Sequence, residues 1–109
     1  MNNISVPLER FGIKSLNKNN CLRLSKCNEL PTHSGVYIFW LNDRPIYIGK
    51  ASNIRGRIMC HLYSGTLCEY LNKFRWIKVF WIKNDTREFL LIEKILVKYF
   101  KPELNKQLV

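Results

Sequence analysis

Residues 35–57 read GVYIFWLNDRPIYIGKASNIRGR, and this stretch decides the architecture. Val36 to Leu41 is an unbroken apolar run rich in β-branched and aromatic residues, the composition of a strand. Asn42, Asp43, Arg44 and Pro45 are turn formers, and Ile46-Tyr47-Ile48 resumes the strand pattern, so the segment predicts a hairpin. Taking residues 42–45 as a four-residue loop puts Leu41 opposite Ile46 and Tyr37 opposite Lys50. Ser52 or Asn53 is placed to cap a following helix with Ile54, Ile58 and Leu62 four apart on its apolar face. Gly56 inside that helix is a mild cost.

Working outward, residues 66–74 read as a short helix carrying Leu67, Tyr70, Leu71 and Phe74. Trp76 to Ile82 (WIKVFWI) is apolar on both faces apart from Lys78, as expected of a strand covered on both sides. A longer helix over about residues 86–100 starts with Asp85 as cap and Glu88 reaching back, and Pro102 stops it. Before residue 30 the apolar positions have no clear period, so residues 1–29 are expected to form an extension packed on a domain spanning 30–109. The expected fold class is α/β in the α+β sense: a small three-stranded antiparallel sheet flanked by helices.

The chain's 109 residues suit one domain, and 47% hydrophobic content excludes intrinsic disorder. Eighteen Lys and Arg against eight Asp and Glu give a net charge of +10, which points to a polyanionic partner, nucleic acid first. The charge is +3 over residues 1–34, +3 over 35–62, +3 over 63–83 and +1 over 84–109, so it belongs to the folded body rather than to a tail. An anionic membrane is disfavoured because the apolar runs, six residues or so, fall far short of the roughly 20 that span a bilayer. No secretory h-region follows Met1, so a cytoplasmic location is expected. Cys21, Cys27, Cys60 and Cys68 match neither zinc-ligand nor C-x-x-C spacing and read as reduced thiols.

Some residues resist a pure packing account. On a wheel of the last helix, Arg87, Lys94, Lys98 and Lys101 lie within about 60° and define a solvent face turned away from Glu93. The helical neighbours of Glu93 are Phe89, Leu90, Leu96, Val97 and Phe100, and a carboxylate there is costly unless it meets solvent, a cation or a metal. Arg57 and His61 share one face of the earlier helix. Taken singly, each is compatible with an ordinary surface or core role.

Taken together they resemble a family. Gly35-Val36-Tyr37 and Tyr47-Ile48-Gly49, with the tyrosines ten positions apart, then residues 50–57, Glu93 on a downstream helix, and Pro102 with Asn105, are similar to the GIY-YIG nuclease domain. Leu30-Pro31 before Gly35 is similar to the start of that domain in the bacterial nucleotide-excision-repair nuclease. The resemblance covers about residues 30–106.

The resemblance implies a divalent-metal-dependent endonuclease that hydrolyses phosphodiesters by metal-assisted attack of water. Glu93 would be the protein ligand of one cation, Mg²⁺ with Mn²⁺ as an alternative. Arg57 would stabilise charge on the scissile phosphate, and Tyr37 or Tyr47 would orient or deprotonate the water. The hairpin pairing favours Tyr37 as base, with Lys50 as the cation that favours its phenolate; that register leaves Tyr47 on the other face unless a bulge or a one-residue change in loop length reconciles them. His61 would shuttle a proton or touch phosphate. Gly49, Asn53, Arg55 and Asn105 are the expected substrate-binding residues, and Arg55, Lys73, Arg75, Lys78 and Lys83 are candidates for backbone contacts. DNA is the first candidate substrate, with no membrane role and with a homodimer or a targeting protein as possible means of target choice. The competing readings are a non-catalytic nucleic-acid-binding module, in which Trp76, Trp81 and Tyr70 stack bases, and a basic structural protein of a ribonucleoprotein particle.

Overall fold

Strands β4 (Gly35–Leu41) and β5 (Arg44–Ala51) form the hairpin, joined by a turn tighter than the sequence reading allowed. Leu41 pairs with Arg44, and only Asn42 and Asp43 lie between them, at φ 49° and 65°. Positive φ at both central residues is the type I′ signature, for which Asn and Asp are among the tolerant side chains. Trp40 pairs with Pro45 and Phe39 with Tyr47, so Ile46 is an extra, bulged residue. The expected pairing of Tyr37 with Lys50 is therefore corrected: Tyr37 pairs with Gly49, and Lys50 with Val36.

The computed structural model describes residues 4–74 and 76–107. After β1 (Ile4–Leu8) and β2 (Ile13–Leu16), which pair as a separate hairpin, β3 (Cys21–Arg23) enters the main sheet. That sheet is antiparallel in the order β3-β6-β4-β5, with β6 at Lys78–Lys83. The three expected strands are present and a fourth joins them at the edge. β3 escaped the sequence reading because three residues are too few to show a period. Pro45, which has no N–H to donate, is tolerated because β5 is the opposite edge.

Helices cover both faces, as the two-sided apolarity of β6 predicts. On one face Tyr37, Phe39, Leu41 and Val79 pack against α1 (Ile54–Tyr63) and α2 (Cys68–Lys73) through Ile54, Ile58, Leu67 and Leu71. On the other, Val36, Ile38, Ile48, Phe80 and Ile82 pack against Ile92 and Leu96 of α3 (Glu88–Phe100) and against Val6, Leu8 and Leu16 of the first hairpin. Trp81 packs on the α1 side, whereas Trp76 precedes β6, is 55% exposed and meets Phe74 edge-on at 5.7 Å. The four cysteines are unbonded. Among the described residues no helix is long and apolar enough to cross a membrane.

Asn53 caps α1, its Oδ1 accepting from Gly56 N–H at 2.9 Å. The expected Asp85 cap of α3 is not formed. Just before the helix, Thr86 Oγ1 accepts from Glu88 N–H at 3.2 Å and has the side-chain oxygens of Asn84 at 2.9 Å and Glu88 at 3.1 Å as acceptors for its proton. Lys101 ends α3 in the left-handed region at φ 50°, and buried Pro102 leads into α4 (Glu103–Gln107). This reversal carries Asn105 to the free edge of β5, where its side-chain amide accepts from Ile48 N–H and donates to Ile48 C=O, both at 2.8 Å. The edge strand is thereby paired as if by one further residue of sheet.

Gly35 is required for close approach, since a β-carbon there would run into the Ile82 carbonyl. At the turn the converse holds, because Asp43 carries a side chain in a left-handed conformation. Asp43→Gly is expected to raise the unfolding free energy by about 0.5–1 kcal/mol in urea denaturation; a loss of stability would mean that the carboxylate itself holds the turn.

Candidate active site

The bulge at Ile46 sets the side-chain order of everything after it in β5. It turns Tyr47 and Gly49 to the face of Tyr37 and sends Lys50 to the face of α3. Tyr37 is 1% exposed and its hydroxyl lies 2.7 Å from Nε2 of His61, which is itself 8% exposed. The rings of Tyr37, Phe39, Tyr47 and His61 form one cluster, with centroids 5.5–6.3 Å apart. Gly49 is buried, and a β-carbon on it would overlap the Tyr37 hydroxyl and ring. The space it leaves is taken by Tyr37 and not by an approaching phosphate chain.

Burial sets the protonation states. It pushes the Tyr37 phenol far above its ordinary value; the neighbouring Tyr47 adds to this, while the Arg57 guanidinium opposes it. Tyr47, half-buried, is also raised by desolvation, then drawn down by Arg57 and raised again by Glu93. His61 is pushed down to about 4 by burial and then by the Arg57 charge, so it is neutral at pH 7. With both groups uncharged, this is a neutral–neutral hydrogen bond whose donor is set by which imidazole nitrogen carries the proton.

Arg57 lies exposed on α1, in a cleft of about 310 Å³ that it shares with Ala51, Ser52, Asn53, Gly56 and Cys60. On the far side of β5, the Glu93 carboxylate accepts from Lys50 Nζ at 3.3 Å. The Glu93 side chain is 20% exposed and close enough to the tyrosines to raise both phenols. The site therefore wraps around the free edge of β5, with Tyr37, Tyr47, His61 and Arg57 from one layer and Glu93 with Lys50 from the other. Lys50 pairs with the carboxylate, which corrects its expected place beside Tyr37.

Among the described residues no group of three His, Cys, Asp or Glu side chains could hold a metal ion. Glu93 still fits a hard divalent cation as a single oxygen donor, with water and phosphate oxygens completing the shell. Its apolar setting, balanced by one lysine, is the kind of place where a carboxylate gains from a second positive charge.

Other expected contacts are placed differently. Arg55 Nε donates to the Leu30 carbonyl at 2.7 Å, and the Arg55 N–H donates to Pro31 C=O at 3.0 Å. Arg55 thus fastens the lead-in to α1, with its Nε engaged there. Asn53 is occupied as the α1 cap, though it lines the Arg57 cleft, and Asn105 holds Ile48. Lys94, Lys98 and Lys101, expected to face away from Glu93, line one groove with it, because the turn at Lys101 folds Pro102 and Asn105 back as a second wall. Arg75 lies outside the described residues.

A family model described as the UvrC-like GIY-YIG domain matches residues 33–106. Excinuclease cho of Escherichia coli (strain K12) is 38% identical over 84 residues, covering 74% of this chain and 28% of that protein. UvrABC system protein C of Deinococcus radiodurans is 38% identical over 76 residues, covering 70% of this chain and 12% of that protein. The chain thus spans less than a third of the length of these curated relatives. Among solved structures, the GIY-YIG N-terminal endonuclease domain of UvrC from Thermotoga maritima, a tyrosine-to-phenylalanine variant bound to its catalytic divalent cation, superposes with a TM-score of 0.63. It is 30% identical, covering 72% of this chain and 89% of that one. The magnesium-bound form gives 0.60 at 29% identity, covering 72% of this chain and 90% of that one.

The depressed His61 value has a stability consequence. The unfolded chain takes up a proton near the ordinary histidine value of about 6.5, the folded one near 4, so this contribution is full above the former and lost as pH falls toward the latter. In denaturation series across that window, His61→Gln should remove up to about 3 kcal/mol of the acid-side loss. An unaltered slope in the variant would exclude a buried neutral imidazole.

Proposed function

The chain belongs to the UvrC-like GIY-YIG family, and from that premise we propose that it is a divalent-metal-dependent endonuclease whose substrate is DNA and whose cation is Mg²⁺ held by Glu93. The observation that carries this reading is the meeting of Tyr47, Arg57 and Glu93 at one sheet edge, within a segment that the family model covers. When bound, the cation supplies Lewis-acid stabilisation of the departing 3′ oxygen.

The residues divide the remaining work. Arg57, exposed and with a planar array of donors, binds the scissile phosphate and stabilises the charge that builds on its oxygens. Tyr47 is the base: it is only half-buried and lies under the field of Arg57, which favours its phenolate. Water attacks phosphorus, its proton passes to the Tyr47 phenolate oxygen, and the P–O3′ bond breaks, the leaving 3′ oxygen taking a proton from solvent water to give 3′-hydroxyl and 5′-phosphate ends. Tyr37 is poorly suited to that step. It is sealed in the core, hydrogen-bonded to His61, and has lost Lys50 as a neighbouring cation. Its part is to pack under Gly49 and hold Tyr47 in place. Lys50 balances the Glu93 carboxylate until a cation takes over that task, and Asn105 fixes the strand position between Tyr47 and Gly49. Target choice falls to a second copy of the chain or to a targeting protein.

Purified protein incubated with supercoiled plasmid or a structured RNA should nick the plasmid in Mg²⁺ and not in EDTA. Arg57→Ala and Glu93→Ala should each lose about 10²–10³-fold in rate while still binding. A protein that binds but nicks nothing with any divalent metal would sink the catalytic reading and leave a binding module.

Because the Tyr47 phenol is raised above about 10, its phenolate fraction grows about tenfold per pH unit through the neutral and alkaline range. The nicking rate should rise in parallel, and Tyr47→Phe should abolish the rise. Loss of the rise in Tyr37→Phe, with retention in Tyr47→Phe, would move the base to Tyr37.

A further inference from the structure

Beside the proposed cleavage point lies a groove of about 630 Å³, bounded by the C-terminal half of α3 and by the Pro102–Asn105 segment. Glu93 stands in it together with Lys94, Val97, Lys98, Lys101 and Pro102. Its volume falls within the range of about 300–1,000 Å³ usual for ligand clefts. We propose that this groove is a strand-binding subsite, which takes the DNA backbone leaving the scissile phosphate and seats its phosphates on Lys94, Lys98 and Lys101. The proposal rests on reading Glu93 as the point of cleavage.

Three features argue for a DNA strand as occupant. Lys94, Lys98 and Lys101 are exposed, lie on one helix flank and, among the described residues, have no ion-pair partner. A solvated helix face would account for exposed lysines, but these three line a concavity with an apolar floor of Val97 and buried Pro102. Deoxyribose and base edges suit such a floor while phosphates suit the rim. The acidic groups nearby are already engaged: Glu93 with Lys50 at 3.3 Å, and Glu103 with Arg44 at 3.4 Å. The groove is therefore positive in its resting state and complementary to a phosphate chain.

Position gives the same direction. The Arg57 cleft, with Ser52 and Asn53, opens on the α1 side of β5, and the lysine groove opens on the α3 side. A strand held by Arg57 and passing Glu93 at the sheet edge runs next into this groove. Asn105 serves as wall only, because both ends of its amide are bonded to Ile48.

The test measures binding of a short fluorescent DNA single strand to the intact chain in EDTA, so the result does not depend on cleavage. The double variant Lys94→Ala/Lys98→Ala should weaken binding about tenfold and flatten the logarithmic salt dependence by about 0.7 per lysine removed. Lys14→Ala/Lys26→Ala removes the same charge from the lead-in and should change the slope far less. In the nicking assay the loss in the groove variant should fall on KM. Equal effects of the two double variants, or an unchanged salt slope in the groove variant, would overturn the subsite. A groove effect on binding in a chain that never nicks would keep the subsite and defeat the enzymatic reading, so the two failures are separable.

Discussion

One extra residue in β5 determines how the active side chains meet. Ile46 has no partner across the hairpin, so the strand changes parity between Pro45 and Tyr47. Without it, the two-residue turn would set Tyr37 opposite Ile48, and every later side chain of β5 would point to the other layer. With it, Tyr47 and Gly49 join the Tyr37 face and Lys50 joins Glu93. Ile46 is itself fully buried among the α1-side residues, and this burial helps offset the ladder hydrogen bonds disturbed at the bulge.

The same strand explains why two polar side chains are buried so deeply. Tyr37 and His61 are both nearly inaccessible and would each be costly alone, but they satisfy one another at 2.7 Å. Arg57 reinforces the arrangement from outside. Its charge disfavours a proton on His61 and opposes the rise of both phenols. One guanidinium therefore helps keep the histidine neutral while easing the ionisation of the more exposed tyrosine.

What the sequence reveals follows from which signals are local. The strands and helices of residues 35–100 are legible because runs such as VYIFWL and the spacing of Ile54 and Ile58 announce their periods directly. Glu93 stands out in the sequence as a carboxylate among Phe89, Leu96 and Val97 that calls for a cation, and Lys50 meets it. The hairpin register is not legible, since a bulge depends on how both strands pack; the expected pairing of Tyr37 with Lys50 failed for that reason. Nothing local in the sequence shows that Arg55 reaches the Leu30 carbonyl. The lysine groove was hidden because its second wall lies beyond a helix stop, and a helical wheel ends where the helix does.

The location of the site follows from the fact that a two-layered covering separates the faces of a sheet everywhere except at an edge. Arg57 rides on the layer of α1 and Glu93 on the layer of α3, with a closed core between them over most of the sheet. Around the β5 edge the candidate side chains of both layers come together. An open edge, however, is a poor platform, because its unpaired N–H and C=O groups invite fraying and foreign strands. Asn105 resolves the conflict. By bonding both groups of Ile48 it closes the ladder at the one residue between Tyr47 and Gly49, and leaves the flanking side chains uncovered. The left-handed turn at Lys101 and the burial of Pro102 and Leu104 bring that amide into place. The segment after the last long helix thus belongs to the construction of the candidate site.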